Sequence, residues 1–158
     1  LNASVGFGGS CFKKDILNLV YLCRSYGLDD VADYWEGVIK INNYQQERFV
    51  LTMLQSMFNT LATKKICLFG FAFKANTGDT RESPGILIAK RLAEEKAKIV
   101  ITDPQALGNA KKDLLGLDAD IDFIEDPYAA AANTDSIAVI TEWQEYKSLD
   151  YKRIFKSM

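Results

Sequence analysis

The hydrophobic period of this chain changes at Lys64, and that change most constrains its fold. Before Lys64, apolar residues recur at helical spacing. After it, short continuous apolar runs alternate with amphipathic stretches. "KKICLFGFAF", "KIVITDP", "IDFIE" and "SIAVIT" read as strands. "SPGILIAKRLAEEKA", "DPYAAAANT" and "EWQEYKSLDYKRIFKSM" read as helices, the last in one or two pieces, and residues 105–120 as a loop or weak helix. Strands apolar throughout need cover on both faces, and strands alternating with helices form a parallel sheet with right-handed crossovers. The expected fold is therefore α/β: a central helical region over residues 1–62 containing a long helix, then a Rossmann-like parallel-sheet domain over 63–158.

The helical region opens with a loop of small residues, 1–9. Ser10 is placed to cap a helix that runs to about Tyr26, with Ile16, Leu17, Leu19, Val20, Leu22 and Cys23 on its apolar face and Gly27 at its end. A second helical pattern starts at Asp29 or Asp30 and runs to about Leu61; Asn42 and Asn43 interrupt it without ending it. A helix over 29–61 would be a rod of about 45 Å, longer than a small domain. Its aromatic and methionine stripe reads as core or subunit interface.

Composition excludes several classes of function. The formal net charge of −2 leaves no broad basic face for nucleic acid. No apolar run approaches the ~20 residues of a membrane span, and no signal peptide is visible. The chain has no histidine, which removes serine–histidine and cysteine–histidine catalysis and the usual zinc sites from it. Cys11, Cys23 and Cys67 lack metal-ligand spacing, so no metal is expected. Their odd number suits reduced thiols in a cytoplasm. The chain begins at Leu1 inside a motif and ends on a helical pattern, so we expect it to be part of a longer protein.

Two stretches carry chemistry. In "SVGFGGSCFKKD", glycines let backbone N–H groups approach a ligand, and Cys11 sits at a helix start beside Lys13 and Lys14. Both the helix terminus and the lysines favour thiolate. Cys11 is thus either a nucleophile or a structural cysteine on a tight turn. Asp15 is favourable in a first helical turn whatever else it does, and Lys14 can be simply solvated. The second stretch, "GFAFKANTGDTRES", follows the first strand where ligands bind in open α/β sheets, yet it lacks the dinucleotide pattern G-x-G-x-x-G. Phe73 can pack on a base or sugar, Lys74 can meet a phosphate or hydroxyl, and Arg81 suits a phosphate; an ordinary long loop is the alternative. Asp103, ending the second strand, holds the position of a ribose-binding acid, but no glycine fingerprint precedes it.

The order of "LNASVGFGGSCFKKD", "FGFAFKANTGDTRES" and "DPYAAAANTDSIAVITEW" resembles the UDP-glucose/GDP-mannose dehydrogenase family over essentially the whole chain. Phe12-Lys13, where other branches carry Leu-Pro or Ile-Pro, is similar to the UDP-glucose branch. Ala75-Asn76 depart from the Lys-Asp often found at this position, and Lys13 stands where glutamine is common. The resemblance implies oxidation of a primary alcohol to a carboxylate with two NAD+, Cys11 as the nucleophile and Asp15 as helper at hydrolysis. It implies Lys14 and Arg81 near the NAD cofactor. Contacts to UDP-glucose are implied for Asn2, Ala3, Ser4, Val5, Gly6, Phe7, Gly8, Phe73 and Lys74, and a homodimer through helix 29–61. It also implies that the NAD-binding domain and further catalytic residues precede Leu1, leaving this chain inactive alone. A related GDP-mannose or UDP-N-acetylhexosamine dehydrogenase, and a non-catalytic nucleotide-binding or dimerisation module, are the alternatives.

Overall fold

The computed structural model describes residues 4–158. Two helices, α1 (Phe12–Ser25) and α2 (Asp29–Ser56), form an antiparallel hairpin. Then follow β1 (Lys65–Phe69), α3 (Pro84–Glu94), β2 (Lys98–Thr102), α4 (Leu107–Asp113), β3 (Ile121–Phe123), α5 (Pro127–Ala131), β4 (Ser136–Val139), α6 (Gln144–Lys147) and α7 (Tyr151–Ser157). The weak pattern at 105–120 thus holds one short helix, and the last helical stretch is divided in two.

The four strands are parallel and ordered β3-β2-β1-β4. Because side chains alternate across a strand, β1 serves both faces of the sheet. Ile66 and Leu68 pack with Val50, Leu61, Ile88 and Leu92 on one side. Cys67 and Phe69 pack with Ala130, Trp143, Tyr146 and Ile154 on the other. Burial pushes the Cys67 thiol up to about 12, with Lys65 acting weakly against it. Chain order reverses beside β1: β2 and β3 lie on one side and β4 on the other. This is the switch point where open α/β sheets form a crevice at the carboxyl ends of their strands.

Two helix starts follow the sequence directly. The Ser83 side chain accepts from Gly85 N–H ahead of Pro84, and Asp126 accepts from Tyr128 and Ala129 N–H ahead of Pro127. Two other expectations need correction. Cys11, not Ser10, occupies the cap position of α1, with helical backbone angles and no side-chain cap. The long helix ends at Ser56, not near Leu61. Phe58 and Asn59 take positive φ, which breaks the helix, and Leu61 turns away to be fully buried with the sheet.

The hairpin has a smaller core of its own, in which Ile16, Val20 and Cys23 of α1 meet Ala32 and Ile39 of α2. Arg24 binds it at one end, with its guanidinium 2.9 Å from Asp33, 3.2 Å from Glu36 and 3.8 Å from Asp29. Farther along, Phe49, Met53 and Leu54 of α2 leave the hairpin and pack on the sheet's core.

Candidate functional site

The crevice beside β1 is built by close approaches that only glycine permits. The chain leaves β1 at Gly70 with φ of 91°, and a Cβ there would lie 2.4 Å from the Thr141 side chain. This brings the end of β4 against the loop that follows β1. Along that loop Phe73 is half-buried and Lys74 is exposed, its ammonium 5.4 Å from the centre of the Phe73 ring. The Phe73 N–H donates to Asp79 O at 3.0 Å, which closes the loop on itself.

The glycine-rich segment lies on this same loop. Gly9 N–H donates to Arg81 O at 2.8 Å, and a Cβ on Gly8 would stand 2.3 Å from Glu82 O. Lys13 of α1 completes the joint with a 2.6 Å ion pair to Glu82. The other side of the segment is held by α2. The Asn42 amide accepts from Phe7 N–H at 2.8 Å and donates to Phe7 O at 3.1 Å, as a neighbouring backbone strand would. Gln45 donates to Ser4 O at 3.1 Å.

Between these walls lies a cleft of about 670 Å³, of the size that takes a small organic ligand. Ser4, Val5, Gly6, Phe7 and Gly8 line one side, Phe73 and Lys74 another, and Val139 to Glu142 a third. Seven sequence-selected residues thus meet in one cavity, although residues from 4–8 and 73–74 lie far apart in the chain. Asn2 and Ala3 lie outside the described residues.

None of Cys11, Asp15, Lys14 and Arg81 lines this cleft. Cys11 is exposed, with its Sγ 3.7 Å from Ser10 Oγ. Asp15 donates its N–H to Cys11 O at 2.8 Å, so the two residues share a helix face one turn apart. Lys14 is exposed in the same turn. The Arg81 guanidinium is held by Asp79, with a closest contact of 2.6 Å. Hydrogen bonding to Asp79 raises Arg81 above its usual range, and the nearby Cys11 acts in the same direction. The same guanidinium holds the Asp79 carboxyl down at about 2.

Sequence reasoning underrated two residues. Asn42 was legible only as an interruption of a helical pattern. Its signal was position: Ile39, Asn42, Gln46 and Val50 are the buried face of α2 there, and an amide on an apolar face calls for a partner. Asp103 was weighed as a ribose ligand, but its buried carboxylate is filled by N–H groups of its own chain. Among the described residues no group of three or more potential ligands is placed to hold a metal, and no helix is long and apolar enough to cross a membrane.

Known proteins share this organisation. Residues 67–158 match the family model described as the UDP binding domain of the UDP-glucose/GDP-mannose dehydrogenase family, and residues 1–44 match its central domain. A UDP-glucose 6-dehydrogenase of Caenorhabditis elegans is 51% identical over the whole of this chain, which covers 34% of that protein. UDP-glucose 6-dehydrogenase 1 of Arabidopsis thaliana is 46% identical, again over the whole chain and 37% of the relative. The structure of a UDP-glucose dehydrogenase from Pyrobaculum islandicum superposes with a TM-score of 0.83 at 34% identity, over 94% of this chain and 33% of that one. The chain thus spans about a third of the length of the relatives it matches. With both family domains matched in order over one joined cleft, the chain belongs to the UDP-glucose/GDP-mannose dehydrogenase family.

Proposed function

We propose that the chain is the substrate-binding and nucleophile-bearing part of an NAD-dependent UDP-glucose 6-dehydrogenase, which makes UDP-glucuronate. The observation that carries this reading is the joint of the two motifs: the cysteine-bearing segment and the loop after β1 close one cleft, and Cys11 follows the lining residue Gly8 by three positions. UDP lies in the cleft against Phe73 and Lys74, with segment 4–8 facing the sugar. That leaves the sugar's terminal carbon toward Cys11.

From there the chain's own groups act in sequence. The Cys11 thiolate adds to the carbonyl carbon of the aldehyde and holds it as a thiohemiacetal. After oxidation of that carbon the residue is a thioester, which water cleaves to carboxylate and free thiol. Asp15, one turn on, orients and deprotonates that water. NAD, when bound, takes up the hydride removed at each of the two oxidations. Lys14 and Arg81 fit the anionic margin of a dinucleotide, but no glycine fingerprint lies within the chain, so the rest of that site belongs to other residues of the whole protein. The three free cysteines suit a reducing compartment such as the cytoplasm. The exposed apolar side of α2, with Tyr34, Ile41 and Tyr44, suits a homodimer.

Calorimetric titration of the chain with UDP and with GDP tests the binding assignment. UDP is expected to bind and GDP to bind more weakly; a preference for GDP would move the protein to the other branch of its family. In the whole enzyme, Cys11→Ser should stop oxidation at the aldehyde. Unchanged UDP-glucuronate output from that variant would remove the nucleophile role. The chain alone is expected to produce no NADH from UDP-glucose.

A further inference from the structure

We propose that Asp103 is a positioning residue for the cleft, a single buried carboxylate from which two of its walls hang. This rests on the reading that the cleft takes a UDP-sugar. Asp103 follows β2 and is only 2% exposed. Its Oδ2 accepts from Phe71 N–H at 2.7 Å, Ala72 N–H at 3.0 Å and the Trp143 indole N–H at 3.1 Å. Its Oδ1 accepts from Gln105 N–H at 2.9 Å and Ala106 N–H at 2.7 Å. An ionised carboxylate offers about four lone-pair directions, so these donors leave none for a ligand.

What these donors adjoin gives the role. Phe71 and Ala72 lead directly into Phe73 and Lys74, which line one wall. Trp143 directly follows Glu142, the last residue of the third wall. One oxygen therefore sets the spacing between the two walls, and the Thr141 hydroxyl, donating to Ala72 O at 2.6 Å, ties them a second time. The other oxygen fixes the start of α4. That helix reaches back with Asn109, which donates to Gly78 O at 2.8 Å, and with Asp113, which accepts from the Thr80 hydroxyl. The remainder of the loop, up to Arg81, is thus referred to Asp103 as well. Charge-assisted bonds in a buried setting are the strong kind, and a half-satisfied cluster of this sort is costly.

Asp103→Asn keeps the shape but turns one oxygen into an NH2 that faces N–H donors. Trp143→Phe removes one donor and keeps the ring packing. Both are examined in the full chain by amide hydrogen exchange, by calorimetric titration with UDP, and by the NMR resonance of the Trp143 indole N–H. In Asp103→Asn, exchange at residues 70–83 and 139–143 should rise about tenfold while α1 is unaffected, and UDP should bind about tenfold more weakly. Trp143→Phe should weaken UDP by a smaller factor, about threefold, and it carries the test if Asp103→Asn does not fold. In the parent chain the Trp143 indole proton should shift on adding UDP and that of Trp35 should not; a role confined to stability would leave both unmoved. Unchanged loop exchange with unchanged UDP affinity in the variants overturns the positioning role. If the parent chain binds no UDP while loop exchange still rises in the variants, the ligand assignment falls and Asp103 remains the anchor of the cleft walls.

Discussion

The sheet region and the α1–α2 hairpin bury their apolar residues in different ways. In the sheet, Ile66, Leu68, Ile99 and Ile101 are at most 1% exposed, and helices cover both faces. In the hairpin, a five-residue core stands against Tyr21, Tyr26, Tyr34, Ile41 and Tyr44, each 65–80% exposed. The sheet's apolar faces are covered within the chain, partly by α2 itself, whereas the hairpin leaves apolar side chains at the surface. The cysteine-bearing segment is fastened to both, so the geometry around Cys11 is borrowed from its neighbours and not generated locally.

The largest effect that could break this comparison comes from the two cores. Leu68→Ala should cost about 2–5 kcal/mol, and Val20→Ala in the hairpin distinctly less, in urea unfolding followed by circular dichroism. Equal costs would mean that the hairpin core is as essential as the sheet. Next comes the joint. Gly8→Ala places a methyl against Glu82 O, and about 1–3 kcal/mol is expected, with UDP binding weakened and the melting transition of the sheet region moved little. Asn42→Ala should cost about 1–2 kcal/mol by leaving both polar groups of Phe7 without their partner. Its signature is faster amide exchange at residues 5–9. Smaller still, Ile41→Ser should change the stability of a single copy by no more than about 0.5 kcal/mol. A cost that grows with protein concentration would identify a second copy on that face.

The smallest effect concerns the exposed pair at the loop. Arg81 holds the Asp79 carboxyl at about 2 against an ordinary 3.8. A depressed carboxylate stabilises the fold fully above its ordinary range and loses that contribution as pH falls through its folded value, so the window is about pH 4 to 2. Solvent screens the pair, and the change in stability should be slight. Carbon-13 NMR of the Asp79 carboxyl should give a midpoint near 2, rising toward the ordinary range in Arg81→Ala without reaching it, because the backbone N–H of residue 81 still donates to Asp79 Oδ1. An ordinary midpoint in the parent chain would show that Arg81 is free of Asp79.

Much of this architecture could be read before any coordinates. The strands and the helices at Pro84 and Pro127 followed from apolar runs and capping chemistry, both local signals. The end of α2 was not legible, because Met57, Phe58 and Leu61 continue a helical spacing although Met57 and Leu61 serve the sheet's core and Phe58 is exposed; tertiary packing overrode the periodicity. The candidate site divided in the same way. The cleft-lining residues chosen from sequence lie in two short motifs, 4–8 and 73–74. The residues that hold them, Asn42 and Asp103, act through partners about 30 residues away, and a single sequence does not show which distant backbone a side chain will meet.

The order in which the cleft's walls occur along the chain has a consequence for biosynthesis. Segment 4–8 is made first, and its last facing wall, 139–142, follows roughly 130 residues later, which at about 5–20 residues per second is a delay of roughly 7 to 26 seconds. Early in that interval the glycine segment can find Asn42 of the hairpin, later Arg81 and Glu82, and only at its end Thr141. The nascent chain therefore holds its glycine segment by the hairpin alone at first, and the cleft is complete only once β4 has joined the sheet.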